Sequence, residues 1–214
     1  MELQNKKVLV VGSGISGIGA VEALCRVGAV PVLYDANDKL TKEEVVAKYA
    51  EGVTAEVVLG VLPEEIEKQT ELVVLSPGVP TDTEFVNGFR QRGIKIWGEI
   101  ELAYELGRGK VIGITGTNGK TTTTSLVGEI MAAHCKDVDV VGNIGNPYTL
   151  TALDATEETV TVAEISSFQL ETIEQFCPDV SAILNITPDH LNRHHTMENY
   201  AAAKEAITKN QTKE

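Results

Sequence analysis

Gly116-Thr117-Asn118-Gly119-Lys120-Thr121-Thr122 puts two glycines, a lysine and a run of hydroxyls within seven residues. Such a set grips phosphate. The glycines let the backbone curl until several N–H groups face one anion, and a helix opening there adds its dipole. Lys120 would reach the β- and γ-phosphates of ATP, and the Thr121 hydroxyl would bind Mg2+. The spacing departs from the common Gly, four residues, Gly-Lys-Thr: Ile114 stands five before Gly119, and Gly116 is the nearer glycine. An ordinary Gly-rich turn is the alternative. The strand-like Val111-Ile112-Gly113-Ile114-Thr115 before the loop and the helix expected over 121–134 after it favour the phosphate site.

Gly12-Ser13-Gly14-Ile15-Ser16-Gly17 fits the dinucleotide fingerprint, with Asp35 18 residues beyond Gly17. That pattern reads as a nucleotide diphosphate on a helix N-terminus, not NAD in particular. Glycines serving only helix–strand packing are the alternative. Ser76-Pro77-Gly78 follows an apolar run and is a site or a plain turn. Glu164 ends Val160-Thr161-Val162-Ala163, as a Mg2+ ligand or a surface acid. His190 follows another strand, as a ligand or a solvated histidine. His194 and His195 read as surface residues and His134 as a helix-end residue. By spacing alone Lys204 is a solvated helix lysine, no different from Lys209.

These residues need elements to hold them. Val- and Ile-rich runs predict strands at 8–11, 30–34, 55–59, 72–75, 95–97, 111–115, 138–141, 160–164 and 180–185. Strands covered on both faces look like this. Between them, Thr41-Lys42-Glu43-Glu44 is a capping box, with Gly52 placed to end its helix, and 197–209 is helical. Alternating strands and helices predict a doubly wound α/β architecture with mainly parallel sheets. Ligands then collect beyond the carboxyl ends of the strands, where most of the residues above fall. Two Gly-rich starts predict two domains: a Rossmann-like N-terminal domain over 1–98 and a P-loop-type central α/β domain over 99–214.

Composition narrows the partners. The 214 residues carry a formal net charge of −13. That disfavours nucleic acid and anionic membranes, which want a basic face. No run is long enough to span a bilayer, and the start lacks a secretory signal pattern. Three scattered cysteines, Cys25, Cys135 and Cys177, suggest free thiols in a reducing cytoplasm.

Residues 116–122, Gly142-Asn143-Ile144-Gly145, Glu164-Ile165-Ser166-Ser167-Phe168-Gln169-Leu170-Glu171, residues 185–190 and Ala202-Ala203-Lys204, in this order, resemble the Mur ligases of peptidoglycan synthesis. The run after Glu164 is most similar to the D-glutamate-adding branch. The resemblance implies a cytoplasmic, monomeric, ATP- and Mg2+-dependent enzyme of cell-wall biogenesis, cell shape and cell division. Its substrates would be UDP-N-acetylmuramoyl-L-alanine, D-glutamate and ATP. A carboxylate is phosphorylated by ATP, and the amine of D-glutamate attacks the acyl phosphate. It implies catalytic roles for Lys120, Glu164, His190 and Lys204, and an ATP phosphate grip of Gly116, Thr117, Asn118, Gly119, Lys120, Thr121 and Thr122. Gly14, Ile15, Ser16, Asp35, Ser76 and Gly78 would bind the UDP end, with Asn143 and Arg193 on the substrate. Thr121, Glu164, His190 and a carbamylated Lys204 would hold metal. Asn192 departs from the family, where Asp often follows His-Leu. Family members continue well past a point matching Glu214, into the adenine pocket and a third domain. The expectation is a chain inactive alone and prone to self-association. The competing readings are an NAD-binding oxidoreductase and a non-catalytic nucleotide-binding module.

Overall fold

The structure is a computed structural model that describes residues 2–212. The chain divides into two compact units, Met1–Leu102 and Ala103–Glu214. In the first, β1 (Lys7–Val11), β2 (Val30–Asp35), β3 (Glu56–Leu59), β4 (Leu72–Leu75) and β5 (Lys95–Gly98) alternate with α1 (Ile15–Arg26), α2 (Lys42–Val46), α3 (Glu64–Gln69) and α4 (Glu84–Gln91). α5 (Glu99–Leu106) crosses the division. The strands pair in parallel in the order β3-β2-β1-β4-β5. Every residue of β4 and all but the first of β1 are buried, which explains runs that are apolar without alternation. β1 lies between β2 and β4, so the chain reverses its direction of growth there. The loop after β1 therefore sits at a switch point, where flanking loops diverge and leave a crevice.

The second unit is built from β6 (Lys110–Thr115), α6 (Lys120–Ala132), β7 (Val138–Gly142), α7 (Tyr148–Ala152), β8 (Val160–Glu164), α8 (Ser167–Leu170), β9 (Val180–Ile183), α9 (Leu191–His194) and α10 (Met197–Glu205). Its parallel sheet runs β7-β8-β6-β9. β6 is flanked by β8 and β9, so 116–122 also leaves a switch point.

Most boundaries fall within two residues of expectation, and three stop shorter. The Thr41–Glu44 capping box forms, but α2 stops at Val46, well before Gly52. Val45 is its one buried residue, and the Glu22 carboxylate accepts the Ala50 N–H at 2.8 Å, drawing the chain off the helical path. β9 ends at Ile183 because Asn185 turns to the loop after β6, its carbonyl accepting the Thr117 N–H at 3.0 Å. α10 ends at Glu205 and tightens into a 3-10 turn over Ala206–Thr208. Among the described residues no helix is long and apolar enough to cross a membrane.

Candidate functional site

Beyond the carboxyl ends of β1, β2 and β4 lies a cavity of about 790 Å³. That size suits a small-molecule ligand. Gly14, Ile15, Ser16, Asp35, Ser76 and Gly78 all line it, with Tyr34 and Phe85 adding aromatic wall. The three fingerprint glycines do different work. Gly12 has φ +101, which suits a turn no L side chain enters easily. A Cβ on Gly17 would lie 1.9 Å from the Gly12 carbonyl oxygen, so α1 packs on the loop only through glycine there. A Cβ on Gly14 would meet nothing within 4 Å. Packing explains Gly17 and leaves Gly14 unexplained; close approach of a ligand to the backbone explains Gly14.

Asp35 is already engaged. Its Oδ2 accepts the Ser13 N–H at 2.9 Å and the Ser13 hydroxyl at 2.6 Å, and Oδ1 accepts the Asn37 N–H at 3.0 Å. Burial works to raise its pKa, but these bonds and nearby Lys48 outweigh it and hold the carboxyl below its ordinary value. The acid that a dinucleotide's ribose would need is turned toward its own loop. Ser16 donates its hydroxyl to Glu99 at 2.6 Å, so that hydroxyl is engaged within the fold. Ser76 donates to the Gly12 carbonyl at 3.3 Å and so supports the turn.

In the second unit the loop after β6 is braced from outside. Asn185 accepts the Asn118 N–H and donates to the Asn118 carbonyl, both at 2.9 Å. The Thr117 hydroxyl accepts the Thr187 N–H at 3.0 Å and lies 3.1 Å from the Tyr200 hydroxyl. Gly119, the residue before α6, is left-handed at φ +81. The Lys120 ammonium folds back onto the Gly116 and Thr117 carbonyls at 3.0 Å each. The brace has a measurable consequence. On the reading that this loop grips ATP, Asn185→Ala, which removes two hydrogen bonds from it, should lower ATP affinity roughly tenfold, about 1.4 kcal/mol. Titration calorimetry checks it, and an unchanged affinity would show that the loop keeps its shape unaided.

Lys204 is not solvated. It is 1 % exposed, donates to the same Gly116 carbonyl at 2.8 Å, and stands 4.6 Å over the Tyr200 ring. Burial, then repulsion from Lys120, lowers its pKa to about 8 against the pull of Asp189. Two lysines thus meet on one loop carbonyl. Glu164 is also 1 % exposed, and register pairs it with Ile114 two residues before the loop. Its Oε1 accepts from the Asn143 amide at 2.8 Å, while its buried Oε2 has no hydrogen-bond partner. A buried carboxylate oxygen without a partner is costly, and a cation relieves it. Thr121 is exposed at the start of α6.

His190 precedes α9 in left-handed backbone, φ 52, with its ring 4.9 Å from Phe168 and 3.5 Å from the Asp189 carboxylate. His194, expected at the surface, is buried. It lies 2.9 Å from the Ser167 hydroxyl and packs on Phe168 and Tyr200. Burial first, then Arg193, His190 and Lys204, lower its pKa despite the opposing pull of Glu171. Arg193 reaches Glu171 at 2.8 Å. His195 is exposed, as expected. Sequence reasoning missed Asn185, Tyr200 and Glu171 as parts of this site. Their partners lie 22 to 83 positions away in the chain, so no spacing signals them.

Residues 6–98 match the family profile described as Mur ligase MurD-like, N-terminal domain, and residues 114–214 match the Mur ligase middle domain. The chain is 59 % identical over 213 residues to a UDP-N-acetylmuramoylalanine--D-glutamate ligase of Lachnospira eligens, covering 100 % of this chain and 47 % of the relative. It is 58 % identical over 214 residues to the protein of that name from Lachnoclostridium phytofermentans, again covering 100 % and 47 %. The chain therefore spans about half the length of these curated relatives. A solved UDP-N-acetylmuramate-alanine ligase from Thermotoga maritima superposes with a TM-score of 0.57 at 21 % identity, covering 96 % of this chain and 47 % of that one. A UDP-N-acetylmuramate:L-alanyl-gamma-D-glutamyl-meso-diaminopimelate ligase from Neisseria meningitides gives 0.60 at 15 % identity, covering 98 % and 69 %. At such identities these two structures bear on the fold.

Proposed function

The chain belongs to the Mur ligase family, and from that premise we propose that it is part of a cytoplasmic ligase that uses ATP to join D-glutamate to UDP-N-acetylmuramoyl-L-alanine in peptidoglycan synthesis. Residues 1–98 bind the UDP end and 99–214 grip the ATP phosphates. The observation that carries this reading is the meeting of Lys120 and Lys204 on the Gly116 carbonyl, beside a loop shaped for phosphate. Phosphoryl transfer asks chiefly for positioning and fixed positive charge. Lys120 would swing from its own carbonyls onto β- and γ-phosphate oxygens. Gly116, Thr117, Asn118, Gly119, Thr121 and Thr122 would offer backbone N–H groups, and Asn143 would meet the muramoyl side of the substrate.

Mg2+ fits the donor set, because the orphaned Glu164 Oε2 asks for a cation. Thr121 and Glu164 would hold one Mg2+ and His190 a second, with a carbamylated Lys204 as a further anionic ligand, and the ions would neutralise charge on the transferring phosphoryl group. Burial prepares Lys204 for its modification. An amine attacks CO2 only when neutral, and a pKa of about 8 leaves a useful neutral share near physiological pH. The amine nitrogen bonds the CO2 carbon and loses a proton to water. The product is an anion, so repulsion from Lys120 becomes attraction.

Calorimetric titration of the chain with UDP-N-acetylmuramoyl-L-alanine, Mg-ATP and NADH tests the reading. Binding of the UDP substrate with no heat from NADH is expected. NADH binding without UDP-substrate binding would overturn it in favour of an oxidoreductase module.

A further inference from the structure

We infer that Glu171 is a positioning residue, holding His190 at the phosphate-loop site through Arg193 and Phe168. The inference rests on the ligand role proposed above for His190. Glu171 is the cap residue just after α8, and its two oxygens receive Arg193 as a fork, Nη2 at 2.8 Å and Nε at 3.3 Å. The two side chains are 15 % and 14 % exposed. A forked, charge-assisted bond with little water around it fixes orientation as well as distance. The guanidinium stands 5.0 Å from the centre of the Phe168 ring, and the His190 ring packs 4.9 Å from the same ring. Glu171 thus sets Arg193, and both His190 and Arg193 lean on Phe168. A parallel tie runs from His194 to Ser167 at 2.9 Å, with the other His194 nitrogen 3.6 Å from Glu171.

These ties matter because α9 cannot hold itself. It has four residues, too few for a helix to persist alone. It is bracketed by left-handed non-glycine residues, His190 at φ 52 and His195 at φ 67. Strained backbone of that kind survives only where the surroundings over-determine it. The His190 side chain is about half exposed, so burial does not fix it. The same geometry gives Arg193 a different job from the substrate contact expected of it: its charge is committed to the shape of the turn.

The test uses Mn2+ as a spectroscopic stand-in for Mg2+, bound to the chain with ATP. Electron spin echo modulation reports a directly bonded imidazole nitrogen. The wild type should show that modulation, and His190→Ala should abolish it. Glu171→Ala should lose most of it and weaken Mn2+ binding about tenfold, the usual scale for groups that orient a metal ligand. Glu171→Gln, which keeps one acceptor for Arg193, should fall between. If Glu171→Ala fails to fold, Arg193→Lys decides the matter, since it keeps the charge and loses the fork; it should behave like Glu171→Ala. Full modulation in a folded Glu171→Ala or in Arg193→Lys would overturn the positioning role while leaving His190 a ligand. A wild type without nitrogen modulation would instead overturn the ligand reading of His190, and this inference with it.

Discussion

Gly17→Ala should destabilise the first unit by about 4 kcal/mol or more, the range reserved for changes the structure cannot relax around. The added Cβ would sit 1.9 Å from the Gly12 carbonyl oxygen and 3.0 Å from the carbonyl carbon. Those are backbone atoms, so no rotamer change relieves the contact. Gly12 cannot retreat easily, since it holds φ +101, donates its N–H to the Tyr34 carbonyl at 2.8 Å, and has Ser76 Oγ close behind it. α1 must therefore lift from the sheet, exposing Ala20, Val21 and Leu24, which are now buried. Trp97, the single tryptophan, lies in β5 at 1 % exposure and reports this unit by fluorescence. A urea titration should show its transition moving to much lower denaturant. Gly14→Ala is the matched control. Its Cβ meets nothing, so the transition should stay within about 1 kcal/mol, while affinity for a UDP ligand falls. A Gly14→Ala chain that bound UDP normally would return the fingerprint to a packing motif.

That contrast shows what the sequence could and could not reveal. The Gly-x-Gly-x-x-Gly spacing announced a helix packed on a strand end, because both jobs are local to six residues. It could not separate Gly14 from Gly17, since what each Cβ would meet depends on the fold. The same limit governs the second site. The strand, Gly-rich loop and helix around residues 116–122 were legible because strand, glycines, Lys-Thr and helix are contiguous. Glu164 was legible as the end of an apolar strand, but its orphaned oxygen was not. His194 reads as one more loop histidine until Ser167, Phe168 and Tyr200 close around it. α2 shows the limit for boundaries: its capping box is local and formed, while its end is set by Glu22, 28 residues before Ala50.

Lys204→Met should raise the stability of the second unit at pH 7 while removing the group that carbamylation needs. Lys204 has its folded pKa lowered from 10.5 to about 8, burial being the main cause. For a lysine that direction is a penalty. Between pH 8 and 10.5 the unfolded chain binds more protons at this site than the folded one, so wild-type stability rises with pH across that window. Below pH 8 the penalty is complete, about 3 kcal/mol at 1.36 kcal/mol per pKa unit. Methionine fills a similar volume without charge, at the loss of the hydrogen bond to the Gly116 carbonyl, about 1 kcal/mol. That carbonyl still accepts from Lys120. The net gain should be about 2 kcal/mol at pH 7 and should shrink or reverse by pH 10.5. Groups remote from Lys204 titrate there too, but they do so in both proteins and cancel in the difference. Urea unfolding at the two pH values, followed by circular dichroism under CO2-free conditions, measures it. A methionine variant no more stable than wild type at pH 7, or a gap that persists at high pH, would show that Lys204 is comfortably charged where it sits. A stabilised variant would mean the opposite: this fold retains a lysine that weakens it, at a carbonyl shared with Lys120. Stability does not account for such a residue, and chemistry at the phosphate loop does.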